Sequence, residues 1–439
     1  MGAFYKNRRS GNSGFTFTAN AQFWAAMVCL PLFYGCYSSN LVSVQNLSSQ
    51  YQSQYRYLHP EFYVYHVSDS VSRVYYKVNR SELLYIRRNS PDSFSARVSI
   101  KCMVTTSYEA SVLLDSATAV LSLESPSNGD KKFSYGSFPL RLNAGNDYLL
   151  TITTTDLMSR KSDVEYVPVD KSTPFGEDNF LVTKQPGGEV LFKGYSDTAL
   201  QLNVKCSRQT NRLFVNYYKR DFALAAPPFS EYQLQPFRYK GDSSFIIYPD
   251  SAGAYHIQMP PKGYYHLVYD TSTHQGCTLF RFPPYYPTVG VAAEMVGPLR
   301  YITSSQEYSN ISSATDTKKA VEAFWLNLAN GSEDRARDLI RIYYNRVEDA
   351  NRYFTSYLEG WKTDRGMIFL IFGPPSVVYR SSGSETWTYG EDKNFMAISF
   401  TFEKTNNPFT SNDYSLQRQA QFRNIWYNSV DIWRQGRVY

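Results

Sequence analysis

Between Glu61 and about Tyr308 the apolar residues of this chain recur with a period of two, in short runs cut by turn clusters; near Ser313 the period changes to about three and a half. Period-two alternation sends one row of side chains into a core and the other toward water, which describes half-buried strands, whereas the longer period describes an amphipathic helix. The chain therefore divides into a long β part and a shorter part that contains helices. The β part reads as Phe62 to Val67, Arg73 to Val78, Leu83 to Arg87, Ala96 to Val104, Thr118 to Leu123 and Asp147 to Thr153, separated by clusters such as 89–92 and 125–130. Strands of this length and spacing predict a β-sandwich over 61–170. The stretch Ala144 to Ile152 looks like a late strand of an immunoglobulin-like or fibronectin-type domain, preceded by its turn.

A second β-rich block, 171–308, carries candidate strands Val190 to Lys193, Leu200 to Cys206, Arg212 to Tyr218, Phe245 to Tyr248, Tyr255 to Met259, Tyr264 to Tyr269 and Cys277 to Phe282. Pro227-Pro228 and Pro260-Pro261 belong in loops or at edges, because proline removes a ladder donor. A chain of 439 residues exceeds what one core organises. Its 38 Tyr and 28 Phe, at a mean hydropathy of only −0.42, suit strands whose aromatic rings keep one wet end.

From 309 to 439 an α+β unit is expected. Ser313 and Asp316 stand at capping-box spacing before Ala320, Val321, Phe324, Trp325 and Leu328; Asn330-Gly331 breaks that helix and Ser332 opens a second, striped by Leu339, Ile340, Tyr343, Tyr344, Val347, Ala350, Phe354 and Tyr357. The apolar run Met367 to Phe372 predicts a central strand, followed by Val377 to Arg380, Glu385 to Tyr389 and Ala397 to Phe402 in an antiparallel meander. The overall expectation is a mostly β chain: two tandem sandwiches, then a helix pair on a small sheet.

The first 35 residues read as a secretory leader, with a basic stretch from Lys6 to Arg9 and an apolar run from Phe23 to Phe33. It ends at Leu32-Phe33-Tyr34-Gly35-Cys36, which resembles a relaxed bacterial lipobox. Cys36 would carry the acyl chains, and 36–60 would be a lipidated flexible tether; a plain cleaved leader is the alternative. Without Lys6, Arg8 and Arg9 the formal charge of +6 falls to +3, too small and too evenly spread to call for nucleic acid. Cys102, Cys206 and Cys277 remain. Cys206 and Cys277 share a predicted domain and could pair, or all three could be buried thiols. The five His residues do not cluster with Cys or Asp at ligand spacing, so neither metal nor cofactor is expected. Asp69-Ser70, Asp115-Ser116, Asp197-Thr198 and Asp250-Ser251 resemble a short O-glycosylation sequon of Bacteroidota.

One stretch is specific: Gly360-Trp361-Lys362-Thr363-Asp364-Arg365-Gly366, followed by the apolar run and by Gly373-Pro374-Pro375. With Phe324-Trp325, Tyr344-Asn345-Arg346-Val347, Glu385-Thr386-Trp387-Thr388-Tyr389 and Trp433-Arg434-Gln435-Gly436, it resembles the GWxTD domain of Bacteroidota and Acidobacteriota envelope proteins, over roughly 306–439. That resemblance implies an envelope lipoprotein and no reaction. A weaker likeness, a helix pair followed by a Gly-x-Pro turn and a Trp-x-Tyr strand, is to the small lipoprotein of the outer-membrane β-barrel assembly machinery. Tyr37-Ser38-Ser39-Asn40 lack the acidic run that resembles a surface-export signal, which favours the periplasmic leaflet.

Chemistry in these residues is weighed against structure. Asp364 has the type of a general base but no acid partner or nucleophile, and a turn Asp bonded to a backbone N–H accounts for it. Trp361 and Trp387 have the faces to stack on sugar, but beside a hydrophobic layer they read as core. Gly373-Pro374-Pro375 is a turn, not a phosphate loop. The expectation is a non-enzymatic scaffold of a multi-subunit outer-membrane complex, lipid-anchored on the periplasmic side; the alternative is a glycan- or peptidoglycan-binding envelope protein.

Overall fold

The computed structural model describes residues 45–52, 56–87, 94–125, 131–196, 198, 200–219, 222–231, 240–391 and 397–438. The leader, Cys36, Asp197 and the turn residues 89–92 and 126–130 lie outside the described residues.

The first sandwich comprises β1 (Glu61–His66), β2 (Val71–Asn79), β3 (Ile86–Arg87), β4 (Phe94–Thr105), β5 (Asp115–Glu124), β6 (Phe133–Arg141), β7 (Asp147–Asp156) and β8 (Lys161–Asp170). Its two sheets run β1-β2-β6 and β3-β4-β7-β8, with β5 beside β4. Every second residue of β4 from Ala96 to Val104 is buried, facing Val74, Phe138 and Leu140 of the other sheet. The turn before β7 is pinned by Tyr148, whose hydroxyl donates to Asn143 O and accepts from Asn143 N, both at 2.9 Å. This is the tyrosine corner of immunoglobulin-like sandwiches. β6 and β8 were not legible as strands because each carries a proline, Pro139 and Pro168. Both are edge strands, where a missing donor costs nothing.

The second sandwich comprises β9 (Phe180–Gln185), β10 (Tyr195–Ser196), β11 (Gln201–Cys206), β12 (Leu213–Tyr218), β13 (Ser243–Ile247), β14 (Tyr255–Gln258), β15 (Gly263–Val268) and β16 (Cys277–Arg281), in sheets β14-β11-β9 and β10-β16-β15-β12-β13. Val190 to Lys193 is not a strand; Val190 makes a single bridge to Thr183, and the segment runs along the outer side of β9. Cys206 and Cys277 are free thiols, as is Cys102. Burial pushes the Cys206 thiol up to about 12, and Cys277 is raised as well, chiefly by burial.

The C-terminal module comprises α1 (Ala292–Val296), α2 (Ser305–Ser312), α3 (Thr317–Leu328), α4 (Glu333–Phe354), α5 (Asp364–Phe372), β17 (Val377–Arg380), β18 (Ser384–Tyr389), β19 (Ile398–Lys404), β20 (Tyr414–Leu416) and α6 (Phe422–Arg434). Its sheet is the antiparallel meander β17-β18-β19-β20. Ser332 caps α4 as expected. Asp316 alone caps α3, and the capping box sits one helix earlier, between Ser304 and Glu307.

The main correction concerns Met367 to Phe372, which is not a central strand but the body of helix α5. A short, wholly apolar run has no periodicity to separate a covered strand from a buried helix. Its flanks decide: Thr363 supplies an N-cap, Asp364 sits in the first turn, and Gly373 ends the helix at φ +80°. Met367 to Ile371 are all buried because α5 packs against α4, α6 and β20. The fourth strand of the meander is β20 instead.

The stretch 45–60, expected as tether, is built into the fold along its described part. Leu47 and Tyr51 belong to the core of the C-terminal module, and Leu58 to that of the first sandwich. Leu47 N donates to Val378 O (2.9 Å) and Val378 N to Asn46 Oδ1 (3.0 Å), so this strap covers the open edge of β17. A smaller aromatic cluster, including Tyr218, Tyr264, Phe282, Tyr286 and Phe409, joins the second sandwich to the module. Among the described residues no helix is long and apolar enough to cross a membrane.

Candidate functional site

The heptad Gly360 to Gly366 is a joint between two helices. After α4, a single 3₁₀ turn (Gly360–Lys362) reverses the chain into α5. The Thr363 hydroxyl donates to Gly360 O (2.7 Å) and accepts from Gly366 N (3.0 Å), closing the turn and capping the helix with one group. Both glycines are demanded by close approach: an added Cβ would lie 2.0 Å from Ala350 O at Gly360, and 1.9 Å from Gly360 O at Gly366. Trp361 is half-buried and lies against Gly297 and, edge-on, Tyr301.

Asp364 is bound twice over. Its carboxylate accepts from Leu416 N (2.7 Å) and meets the Arg418 guanidinium in a two-pronged pair, at 2.5 and 3.0 Å. Arg418 also donates to Ala226 O (3.0 Å), and Ala225 N donates to Lys362 O (3.2 Å), so the motif touches the proline loop of the preceding block.

Arg365 enters a buried polar hub. Its Nη1 lies 3.2 Å from Glu385 Oε2, and its Nη2 donates to Asn412 O (3.0 Å) and Oδ1 (2.5 Å). Asn412 in turn donates to the carbonyls of Tyr353 and Thr355, at the end of α4. Glu385, 0% exposed, also pairs with Arg380 (3.4 Å) and accepts from Trp387 Nε1 (2.7 Å) and the Tyr51 hydroxyl (2.5 Å). Arg380 Nη2 donates to Tyr51 Oη (2.5 Å). Burial alone would raise the Glu385 carboxyl, but Arg380 and Arg365 outweigh it and hold it below its ordinary value. Two cations sharing one fully bonded carboxylate form a structural knot.

The remaining motif residues close the other end of α5. Tyr389 Oη donates to Gly373 O (2.8 Å), holding the Gly373-Pro374-Pro375 turn. Arg346 Nη1 donates to Leu370 O (3.0 Å) and Ile371 O (3.2 Å), and Trp433 Nε1 donates to Ile371 O (3.1 Å), satisfying the helix's last carbonyls. Trp387 is wholly buried, against Phe354 and Phe402. Sequence reasoning singled out Arg365, Trp387 and Tyr389 but not Tyr51, Arg380 or Asn412. Arg380 and Glu385 are cross-strand partners in β17 and β18, a signal available once the hairpin is assigned. Nothing in the sequence points to Tyr51.

Fold and site together define a mostly β protein that ends in a helix-and-sheet module clamped by a Gly-Trp-Lys-Thr-Asp joint. A GWxTD domain is found at residues 263–435. The match begins at the first residue of β15, earlier than the 306 expected, and so takes in the last two strands of the second sandwich with the aromatic joint. No curated protein matches the chain.

Proposed function

We propose that this chain is a non-catalytic scaffold, held in the outer membrane by an acylated Cys36, that faces the periplasm as a subunit of a multi-protein machine for barrel assembly, secretion or transport. The observation that carries this is the fate of the motif's polar groups. Thr363, Asp364 and Arg365 each make structural hydrogen bonds, to a helix end, to the end of β20 and to the Glu385 knot. Among the described residues no group of His, Cys, Asp and Glu is arranged to hold a metal ion. A rigid module whose polar residues serve its own fold suits presentation of a surface better than turnover.

Asn46 Nδ2 also donates to Ser376 O (3.2 Å), a further bond between the strap and the module. The test is purification from gently solubilised membranes. Stoichiometric recovery with outer-membrane proteins supports the scaffold, and isolation as a lone monomer overturns it. Cys36→Ala should release the protein from membranes; retention would refute the anchor.

A further inference from the structure

An open cleft of about 920 Å³ lies where the strap, both sandwiches and the C-terminal module meet. That is the upper end of the size range for ligand sites. Its lining holds eight Lys and Arg against three Glu, together with eight Tyr. All three carboxylates are engaged: Glu61 with Lys77 (3.0 Å), Glu165 with Arg56 (2.6 Å) and Glu189 with the Tyr135 hydroxyl. Among the described residues Lys184, Lys193 and Lys404 have no ion pair, and Asp147 lies within electrostatic reach of Lys404. The cleft is thus a cationic trough with three ammonium groups that make no ion pair among the described residues.

Aromatic residues line it, some of them in contact with one another. Tyr108 and Tyr166 stand 5.6 Å apart, and Tyr135 stacks on Phe192 at 6.2 Å. The strand edges around it are blunted. β8 brings Pro168, β9 is covered by 189–191, β17 is covered by the strap, and β10 has two residues. An added polypeptide strand needs a row of free backbone donors and acceptors. These walls present rings, cations and side-chain amides instead.

We infer that the cleft binds an acidic oligosaccharide, with sugar faces against the tyrosines and carboxylate groups on Lys184, Lys193 and Lys404. This is independent of the scaffold role, because a lone monomer would still bind. The test is calorimetric titration of the full-length protein with a defined uronic-acid oligosaccharide, a neutral oligosaccharide of equal length, a poly-glutamate peptide and inorganic phosphate. Saturable binding of the uronic-acid oligomer alone is expected. Changing all three lysines to Gln should weaken it by about tenfold or more, since each exposed charge contributes up to about 1 kcal/mol. Among the described residues these lysines make no ion pair, so the variant should fold, as checked by circular dichroism. Tyr108→Ala with Tyr166→Ala should weaken the same binding. No saturable binding, unchanged affinity in the lysine variant, equal binding of the neutral sugar, equal binding of poly-glutamate, or full competition by phosphate would each overturn the inference.

Discussion

The Tyr51 hydroxyl donates to Glu385 Oε1 at 2.5 Å, joining residues 334 positions apart in the chain. Through that bond the segment just after the expected anchor becomes part of the GWxTD core. Its ring packs among Tyr353, Phe354 and Trp387, so the contact is apolar around a polar centre.

Tyr51→Phe keeps the ring and removes the hydroxyl that Glu385 and Arg380 share. The expected cost is about 1–3 kcal/mol, the penalty for leaving a buried polar group short of a partner. Tyr51→Ala should cost more, about 3–5 kcal/mol, through the cavity it adds. Denaturant unfolding followed by tryptophan fluorescence checks both; equal stability of wild type and Tyr51→Phe would show the bond contributes nothing.

Glu385→Gln removes the one carboxylate between Arg365 and Arg380. The buried Arg365 and half-buried Arg380 guanidinium groups then face each other without it, and a loss of about 3–5 kcal/mol is expected. A stable, cooperatively unfolding Glu385→Gln protein would contradict the knot.

Thr363→Ala removes the cap of α5 and should destabilise by about 1–2 kcal/mol, whereas Thr363→Ser, which retains the hydroxyl, should recover most of it. Gly366→Ala should abolish a soluble folded module, because its methyl would meet the Gly360 carbonyl at 1.9 Å. Expression with limited proteolysis distinguishes these outcomes.

His266 gives the second sandwich an acid sensitivity. Its ring is buried between Thr278 Oγ1 (2.8 Å) and His274 O (2.9 Å), and burial lowers its pKa to about 4. Below about 6.5 the unfolded chain takes up a proton that the native ring refuses, so stability falls as pH drops from about 6.5 to 4, by roughly 3 kcal/mol. His66 is shifted the same way, also chiefly by burial. Half-buried Asp178, whose pKa is raised, contributes in the opposite direction, so the measurement is the difference between wild type and His266→Gln across that range. Parallel profiles would remove His266 as the cause.

Much of the β architecture could be read along the chain because alternation is local. β4 and β7 follow their period-two patterns, and the stretch Ala144 to Ile152 shows the turn that precedes its strand. Reading failed where neighbours rather than local sequence set the state. Met367 to Phe372 has no polar face, so only α4, α6 and β20 around it, with caps at Thr363 and Gly373, make it a helix. α6 was passed over, although it covers that helix and its Trp433 closes the helix end.

The sequence by itself determined the sandwich texture, the Gly-Trp-Lys-Thr-Asp pattern and the cap at Ser332, since turn chemistry and periodicity act over a few residues. Only the tertiary structure decided what Arg365, Asp364 and the strap do. Arg365 needs Glu385 and Asn412, Asp364 needs Arg418, and Tyr51 needs a strand edge more than three hundred residues away. Desolvation forces each buried polar group to find a partner, and which partner lies within reach is set by the packing of the whole fold.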